Sequence, residues 1–172
     1  IAKRRKMHLV AGLPERSGSI CYNSAVVVGP SGFLGCYRKT HLFYEETQFF
    51  TPGDSGFLVW DIGVAKIGVM ICFDWYYPEA ARTLAIQGAE IICHPSNLVL
   101  PNCPDSMPVR CLENRVFAVT CNRIGREARG GKDPLTYIGQ SEIVTPKGVI
   151  IQRASRDKEE LTIIDIDPAE AR

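Results

Sequence analysis

A buried strand runs directly into a helix at Ile67-Gly68-Val69-Met70-Ile71-Cys72-Phe73-Asp74-Trp75-Tyr76-Tyr77-Pro78-Glu79. Residues 67–72 are apolar on both faces, which is typical of a central strand covered on both sides. Pro78 and Glu79 favour the first turn of a helix, because that turn leaves N–H groups unpaired and its dipole attracts a carboxylate. Gly88 is expected to end the helix. The sequence therefore places Cys72 where a rigid strand ends and a turn begins.

The rest of the chain has the pattern of many strands and few helices. Apolar runs bounded by Gly and Pro turns are typical of strands, and a second helix is predicted over residues 107–117. Two stretches are expected to be loops: residues 40–56, which lack periodicity, and the polar, glycine-rich residues 125–134. A loop as long as 40–56 inside a compact domain is usually functional. The predicted strands cover residues 8–13, 22–28, 33–39, 57–62, 66–72, 89–94, 118–122, 141–144, 149–153 and 161–166. Such a chain is expected to form one domain over residues 1–172, an α/β layered sandwich.

Composition excludes several classes of protein. The 172 residues carry a net charge of +1 and are 45% hydrophobic, which is ordinary globular usage. The longest apolar runs are far shorter than the roughly 20 residues needed to cross a bilayer. Seven cysteines without a Cys-x-x-Cys spacing indicate reduced thiols and a cytoplasmic location. The three histidines are scattered, so no metal site is expected. We expect neither a membrane nor a nucleic acid as a partner.

Cys72 is the leading candidate for chemistry. A thiol at the end of a buried strand projects from a rigid base, and the backbone amides that follow are free to bind a developing oxyanion. A nucleophilic cysteine needs both features, because the thiolate is the attacking form. The alternative is that Cys72 fills the core as a small apolar side chain. Lys39 and Glu46 acquire a role only if the loop 40–56 folds over the strand end that carries Cys72.

Four stretches, in order along the chain, resemble the nitrilase or carbon–nitrogen hydrolase superfamily. Lys39 and Cys72 also follow one another in the order that this family uses. Among its branches, the sequence looks most like the amidases and aliphatic nitrilases. The four stretches are Arg38-Lys39-Thr40-His41-Leu42-Phe43, Glu46 with Phe49-Phe50-Thr51-Pro52-Gly53, Ile71-Cys72-Phe73-Asp74 with Pro78-Glu79, and His94-Pro95-Ser96-Asn97 with Arg110-Cys111-Leu112-Glu113-Asn114-Arg115. The resemblance implies an α-β-β-α layered sandwich.

The resemblance also implies roles for individual residues. Cys72 matches the nucleophile that attacks an amide, N-carbamoyl or nitrile carbon. Lys39 matches the lysine that stabilises the tetrahedral intermediate, together with the backbone N–H of Phe73, and Glu46 matches a glutamate beside that lysine. The remaining substrate-binding candidates are Trp75, Tyr76 and Asn97, each of which has an alternative role in the core or in a turn. The reaction would release ammonia, would need no metal or organic cofactor, and would take place in a homodimer or larger homo-oligomer.

One feature of the family has no match in this sequence. The general-base glutamate of the family lies well upstream of the lysine, and counting back from Lys39 places it before residue 1. Glu15 does not fit its motif. The sandwich is therefore expected to be incomplete at its N-terminus, and a catalytically inactive binding subunit is the alternative function. Two further interpretations are a nucleic-acid-binding patch at Lys3-Arg4-Arg5-Lys6 and a protease-like pairing of a cysteine with His41 or His94.

Overall fold

A computed structural model gives the fold of residues 1–171, which is built from two large β-sheets, a two-stranded hairpin and a layer of helices. The strands are β1 (Leu9–Ser17), β2 (Ile20–Gly29), β3 (Gly32–Arg38), β4 (Val59–Asp61), β5 (Lys66–Val69), β6 (Ile91–Ser96), β7 (Phe117–Asn122), β8 (Ile124–Arg129), β9 (Lys132–Ile138), β10 (Glu142–Val144) and β11 (Ile150–Arg153). The α-helices are α1 (Ala2–Arg5), α2 (Pro78–Ile86) and α3 (Cys103–Asn114), and short 3₁₀-helices cover Tyr44–Gln48, Cys72–Tyr76 and Pro168–Ala171. None of these helices is long and apolar enough to cross a membrane.

The two large sheets differ in their connections. The smaller sheet is an antiparallel meander in the order β1-β2-β3, as short turns between successive strands require. The larger sheet has the order β11-β10-β7-β6-β5-β4, and its central strands β5, β6 and β7 are parallel. Parallel neighbours need a crossover, which α2 supplies between β5 and β6 and α3 supplies between β6 and β7. Both helices therefore lie on the larger sheet.

The core lies in two layers, one on each face of the larger sheet. Ala25, Val27 and Tyr37 of the smaller sheet pack with Ile67 and Val69 of β5, and all five are buried. The opposite face of the larger sheet packs against the helices through Met70, Ala81, Leu84, Ile92, Cys103, Met107, Cys111, Ala118 and Val144. The protein is thus a mixed α/β sandwich with the layers helix, sheet, sheet, which confirms the predicted fold class.

Residues 125–134, predicted as a polar loop, form most of a β-hairpin instead. Strands β8 and β9 pair antiparallel, with Gly130 and Gly131 at the turn, both at positive φ. The Arg123 guanidinium lies over the ring of Tyr137, 4.1 Å from its centroid, which is within the roughly 6 Å of a cation–π interaction. The hairpin lies at the surface and carries charged residues on both faces. It therefore lacks the alternation of apolar and polar residues from which strands are predicted.

The predicted last strand, residues 161–166, is also wrong. The segment joins neither sheet, and Leu161 and Ile163 are 89% and 84% exposed. Its apolar residues alternate as in a strand, but a strand forms only where a neighbour offers a ladder of N–H and C=O groups. No strand within residues 1–171 pairs with it. Smaller differences are that β1 continues through Pro14 and that α3 begins at Cys103.

A proline in α3 frees a backbone carbonyl that orders a buried ion pair. Pro108 has no N–H, so the carbonyl of Pro104 loses its partner within the helix. Arg153 donates from Nη2 to that carbonyl at 2.6 Å and from Nε to Oε2 of Glu142 at 2.9 Å. The other oxygen of Glu142 is buried without a hydrogen bond. Burial therefore raises the pKa of Glu142 to about 7 despite the opposing effect of Arg153.

We expect Glu142 to make the fold less stable as the pH rises from 4.5 to about 7. In this interval the folded chain keeps a proton that the unfolded chain has released, so the free energy of unfolding falls. The Glu142→Gln variant cannot titrate at this position. The fall in its free energy of unfolding over this pH range should therefore be smaller than that of the wild type by up to about 3 kcal/mol. Urea unfolding across this pH range measures the difference, with Glu79→Gln at an exposed position as the control. Parallel stability curves for wild type and Glu142→Gln would contradict the expectation.

Candidate active site

Cys72 occupies a backbone conformation that is unusual for any residue but glycine. Strand β5 ends at Val69, and Cys72 begins a 3₁₀ turn with φ of 44°. Asp74 closes this turn, because its Oδ2 accepts from the N–H of Ile71 at 2.9 Å and its own N–H donates to the carbonyl of Ile71 at 3.1 Å. Residues held in the left-handed region persist only where their surroundings fix them, and they cluster at functional sites.

His94 holds the main chain of Cys72 from the neighbouring strand β6. Its Nε2 lies 2.8 Å from the carbonyl oxygen of Cys72, and its Nδ1 lies 3.1 Å from Oγ1 of Thr120. A carbonyl only accepts, so Nε2 carries the proton and donates. Burial lowers the pKa of His94 to about 4, so the ring is neutral at physiological pH. His94 therefore supports the backbone of the cysteine and is not paired with its sulfur as in a cysteine protease.

We expect His94→Leu to disturb the turn and His94→Gln to preserve it. Leucine leaves the carbonyl of Cys72 buried and unpaired, at a cost of about 1–3 kcal/mol, whereas glutamine keeps an N–H donor at the end of a side chain of similar reach. The melting temperature and the rate of alkylation of Cys72 by iodoacetamide measure the two effects. Glutamine should restore most of both values. Equal behaviour of the two variants would show that the hydrogen bond to the carbonyl has no such role.

Lys39 lies one residue beyond β3 and is almost completely buried, with 1% of its surface exposed. Its Nζ donates to Oε2 of Glu46 at 2.5 Å. Its main chain is fixed on both sides, because the N–H donates to the carbonyl of Asn23 at 2.8 Å and the carbonyl accepts from Gly53 at 2.8 Å. A lysine is rarely buried unless it is paired. The ammonium group is thus held in one place by a rigid strand end.

Glu46 is held by the loop 40–56, which folds back over the end of β3. Besides Lys39, its carboxylate accepts from the N–H of Phe43 and from Nδ2 of Asn23, both at 2.6 Å. The loop returns so close to β3 that a Cβ on Gly53 would lie 2.0 Å from the carbonyl oxygen of Arg38. Only glycine fits there. The sequence predicted this loop to be functional, and its path brings Glu46 onto the buried lysine.

The charges around Cys72 act on its thiol in opposite directions. Burial raises the pKa of Cys72 above its ordinary value, whereas the Lys39 ammonium and the backbone N–H groups of Asn97 and Phe73 favour the thiolate. The carboxylate of Glu46 again raises the pKa. The sulfur, the ammonium group and the carboxylate therefore interact within one site. Because burial dominates, the thiol is protonated at rest, and a base is needed to generate the attacking thiolate.

Most of the predicted binding residues meet in one cleft. The cleft is small, with a cavity volume of about 10 Å³, and is lined by Phe43, Cys72, Phe73, Trp75, Asn97, Leu98, Val99 and Leu100. Tyr76 is not part of this lining; it is 56% exposed and stacks on Phe73 with 5.2 Å between the ring centroids. No group of His, Cys, Asp and Glu among residues 1–171 is arranged to hold a metal ion. All seven cysteines are free thiols.

A buried carboxylate joins the cysteine turn to the lysine strand, which sequence reasoning did not identify. Asp74 is completely buried and accepts from the hydroxyl of Tyr37 at 2.8 Å and from the N–H of His41 at 3.1 Å. Nδ1 of His41 lies 2.8 Å from Oδ1 of Asp74, and its ring stacks on Tyr77 at 3.8 Å. A charged residue directly after an apolar strand was the available signal, since such a residue is buried only when it is paired.

Glu15 lies in a different environment. Its carboxylate accepts one bifurcated hydrogen bond from Nε of Arg38, at 3.0 and 3.1 Å, one from Nη2 of Arg38 at 2.5 Å, and one from the hydroxyl of Ser24 at 2.6 Å. The Arg38 guanidinium is the main reason that the pKa of Glu15 falls to about 2. A carboxylate so strongly stabilised in its ionised form is a poor proton acceptor. Glu15 is therefore unsuited to act as the base that the thiol needs.

The fold and the site define an α/β sandwich protein in which a buried lysine paired with a glutamate acts electrostatically on a thiol that lines a cleft. The family model described as carbon-nitrogen hydrolase matches residues 1–172. A nitrilase from Pyrococcus abyssi is 53% identical over 167 residues, which cover 97% of this chain and 62% of that protein. The chain therefore belongs to the carbon–nitrogen hydrolase family. It spans about three fifths of the length of this relative.

Solved structures agree with this assignment. A carbon–nitrogen hydrolase from Helicobacter pylori G27 has a TM-score of 0.84 and 32% identity, covering 92% of this chain and 61% of that one. An amidase from Nesterenkonia sp. AN1, with the acetamide moiety of fluoroacetamide added to its active-site cysteine, has a TM-score of 0.86 and 26% identity. That match covers 99% of this chain and 65% of the other. The fold is thus that of the nitrilase superfamily.

Proposed function

We propose that this chain carries the nucleophile and the oxyanion-binding groups of a thiol hydrolase that cleaves non-peptide carbon–nitrogen bonds. The substrate would be a small amide, N-carbamoyl compound or nitrile. The observation that carries the proposal is the buried Lys39 ammonium, held by Glu46 and acting on the Cys72 sulfur. A core cysteine has no need of a desolvated ammonium group beside it. A nucleophile does, because both its thiolate and the oxyanion that it forms are negatively charged.

Each group would act at a defined step. Cys72 attacks the carbonyl carbon of an amide, and the negative charge that develops on the carbonyl oxygen is stabilised by Lys39 and by the N–H of Phe73. The proton released by the thiol passes to the amide nitrogen, the carbon–nitrogen bond breaks, ammonia leaves, and an acyl thioester remains on Cys72. Water hydrolyses the thioester to a carboxylic acid and frees the thiol. Glu46 keeps Lys39 in position throughout, since its carboxylate is the partner of the ammonium group.

The cleft would select the substrate. Trp75 and Asn97 line it beside the cysteine, and Tyr76 would contribute at its margin through Phe73. The Pyrococcus relative is named a nitrilase and the Nesterenkonia structure is that of an amidase, so the proposal includes both substrate classes. Apolar side chains are also exposed on the helices at Ile86 and Leu112, which supports the proposal of a homodimer formed by a single-domain chain.

The general base separates this function from its alternative. The family resemblance assigns the base to a glutamate that no residue of this sequence matches. Both oxygens of Glu46 already accept hydrogen bonds, and Glu15 is bound to Arg38. The alternative is therefore a catalytically inactive homologue that binds small molecules or other subunits. This alternative is favoured specifically by the raised pKa of the Cys72 thiol, which leaves the nucleophile protonated.

Acyl transfer to the protein tests the proposal directly. The chain is incubated with propionamide, an N-carbamoyl alkylamine or propionitrile, and its intact mass and the released ammonia are measured. We expect an acyl adduct on Cys72 from propionamide, with the mass of the amide minus ammonia. Cys72→Ala should abolish the adduct, and Cys121→Ala, which removes an exposed thiol, should not. The absence of adducts from all three compounds, in a chain whose Cys72 still reacts with iodoacetamide, would favour the inactive homologue.

A further inference from the structure

The hairpin β8–β9 contacts the loop that carries Glu46. Glu45, the residue before Glu46, is paired at one carboxylate oxygen with Arg129 and at the other with Lys132, whose Nζ lies 2.6 Å away. We call these two ion pairs the hairpin contact. The partners are separated from Glu45 by 84 and 87 residues in sequence. The contact therefore joins two surface segments that no short-range turn holds together.

The two neighbouring glutamates, Glu45 and Glu46, form ion pairs with different parts of the chain. They are successive residues of the single 3₁₀ turn Tyr44–Gln48, in which Glu46 binds Lys39 and Glu45 binds the hairpin. No residue of this turn is buried, and Tyr44 adopts the left-handed conformation with φ of 50°. Such a turn has little apolar packing to hold it in place. Its position depends on the polar contacts at its two carboxylates.

The hairpin contact is more than a loose surface pairing. The side chains of Glu45 and Arg129 are only 20% and 16% exposed, so water screens them less than a fully exposed pair. The contact also lowers the pKa of Glu45, chiefly through the hydrogen bond from Lys132. The base of the hairpin is fixed in turn, because the N–H of Ile138 donates to the carbonyl of Leu98 in the lining of the cleft at 3.0 Å. The hairpin therefore has a rigid attachment beside the site.

We infer that Glu45 is a positioning residue, and that its ion pairs with Arg129 and Lys132 hold the Glu46 carboxylate on the Lys39 ammonium at the thiol. The inference rests on the proposed function, because it assigns the hairpin a part in setting the charge that acts on Cys72. Glu45 itself touches neither the sulfur nor the lining of the cleft. It acts through Glu46.

Charge reversal tests the inference, with the midpoint pH of Cys72 alkylation by iodoacetamide as the readout. Glu45→Arg should release Glu46, remove its negative charge from the thiol, and lower the midpoint by about 1 pH unit. Reversing both partners as well, with Arg129→Glu and Lys132→Glu, should restore the wild-type midpoint. Glu159→Arg makes the same charge change at an exposed position and should leave it unchanged. Melting curves confirm that each variant is folded.

A Glu46→Gln background distinguishes positioning from general loosening of the structure. If Glu45 acts through Glu46, Glu45→Arg has no further effect on the midpoint in that background. An unchanged midpoint in Glu45→Arg, or the same shift in both backgrounds, would overturn the inference. The proposed function is tested by a separate variant. If Lys39→Met leaves the midpoint pH of Cys72 alkylation unchanged, Lys39 does not act on Cys72 and the proposed function is contradicted. A normal Lys39 effect without a Glu45 effect would overturn only the role of the hairpin contact.

Discussion

Replacing Lys39 with methionine should raise the pKa of the Cys72 thiol by about 1–3 units, and its alkylation near neutral pH should slow at least about tenfold. The ammonium group favours the thiolate, whereas burial and the Glu46 carboxylate oppose it. Methionine keeps the unbranched apolar stem and fills the same buried space, so the charge is the main quantity that changes. Glu46 is left without its cation, but its side chain is 24% exposed and can be solvated.

The matched variant Glu46→Gln should act in the opposite direction. It removes the negative charge that raises the pKa of Cys72, while the side-chain oxygen of glutamine can still accept a hydrogen bond from the Lys39 ammonium group. The rate of iodoacetamide labelling, followed by peptide mass spectrometry as a function of pH, gives the midpoint for each variant. Cys121 in the same chain, whose thiol is exposed, serves as an internal standard for reagent reactivity. A midpoint that moves in the same direction in both variants would contradict the electrostatic account of this site.

Asp74→Asn should cause the largest loss of stability, about 3–5 kcal/mol. The carboxylate is completely buried and accepts from the main chain of Ile71 and His41 and from the hydroxyl of Tyr37. Asparagine has one acceptor oxygen, and its NH₂ group would face donors, so at least one buried N–H or O–H is left unpaired. For a chain of this length, the melting temperature should fall by about 10 °C.

Tyr37→Phe is the graded control for this prediction. It removes one of the donors to Asp74 and leaves the ring and its stacking on Phe57 in place. The cost should be about 1–3 kcal/mol, because Asp74 loses one donor and the N–H of Thr40 loses the hydroxyl as its acceptor. Thermal melts of the two variants, followed by circular dichroism, provide the comparison. Equal melting temperatures for wild type and Asp74→Asn would show that Asp74 does not link the cysteine turn to the lysine strand.

The sequence predicts best those parts of the site that depend on local structure. The strand–turn–helix around Cys72 follows from a continuous apolar run and from Pro78 beyond it, and both are properties of neighbouring residues. The positions of Lys39 and Glu46 came from a family resemblance, since a lysine at a strand end is ordinarily solvated. The contact between them depends on how the loop 40–56 folds back over β3. This path requires the close approach of Gly53 to the carbonyl oxygen of Arg38.

Features that depend on distant partners were missed or predicted wrongly. His94 is only one more residue of an apolar strand until β6 lies beside the carbonyl of Cys72. The hairpin β8–β9 has too many charged residues to show a buried face, although those charges make the contact with Glu45. Residues 161–166 show strand alternation but have no partner strand within the described chain. In each case the missing information is the position of a second segment.

The left-handed backbone of Cys72 places reactivity and stability in conflict. A side chain at φ of 44° has a steric cost of about 1–2 kcal/mol that glycine would not have. A Cys72→Gly substitution would remove this strain together with the sulfur and with the packing of the side chain against both core layers, whereas Cys72→Ala would keep the strain. The backbone strain at this position is thus kept together with the sulfur that the proposed function requires.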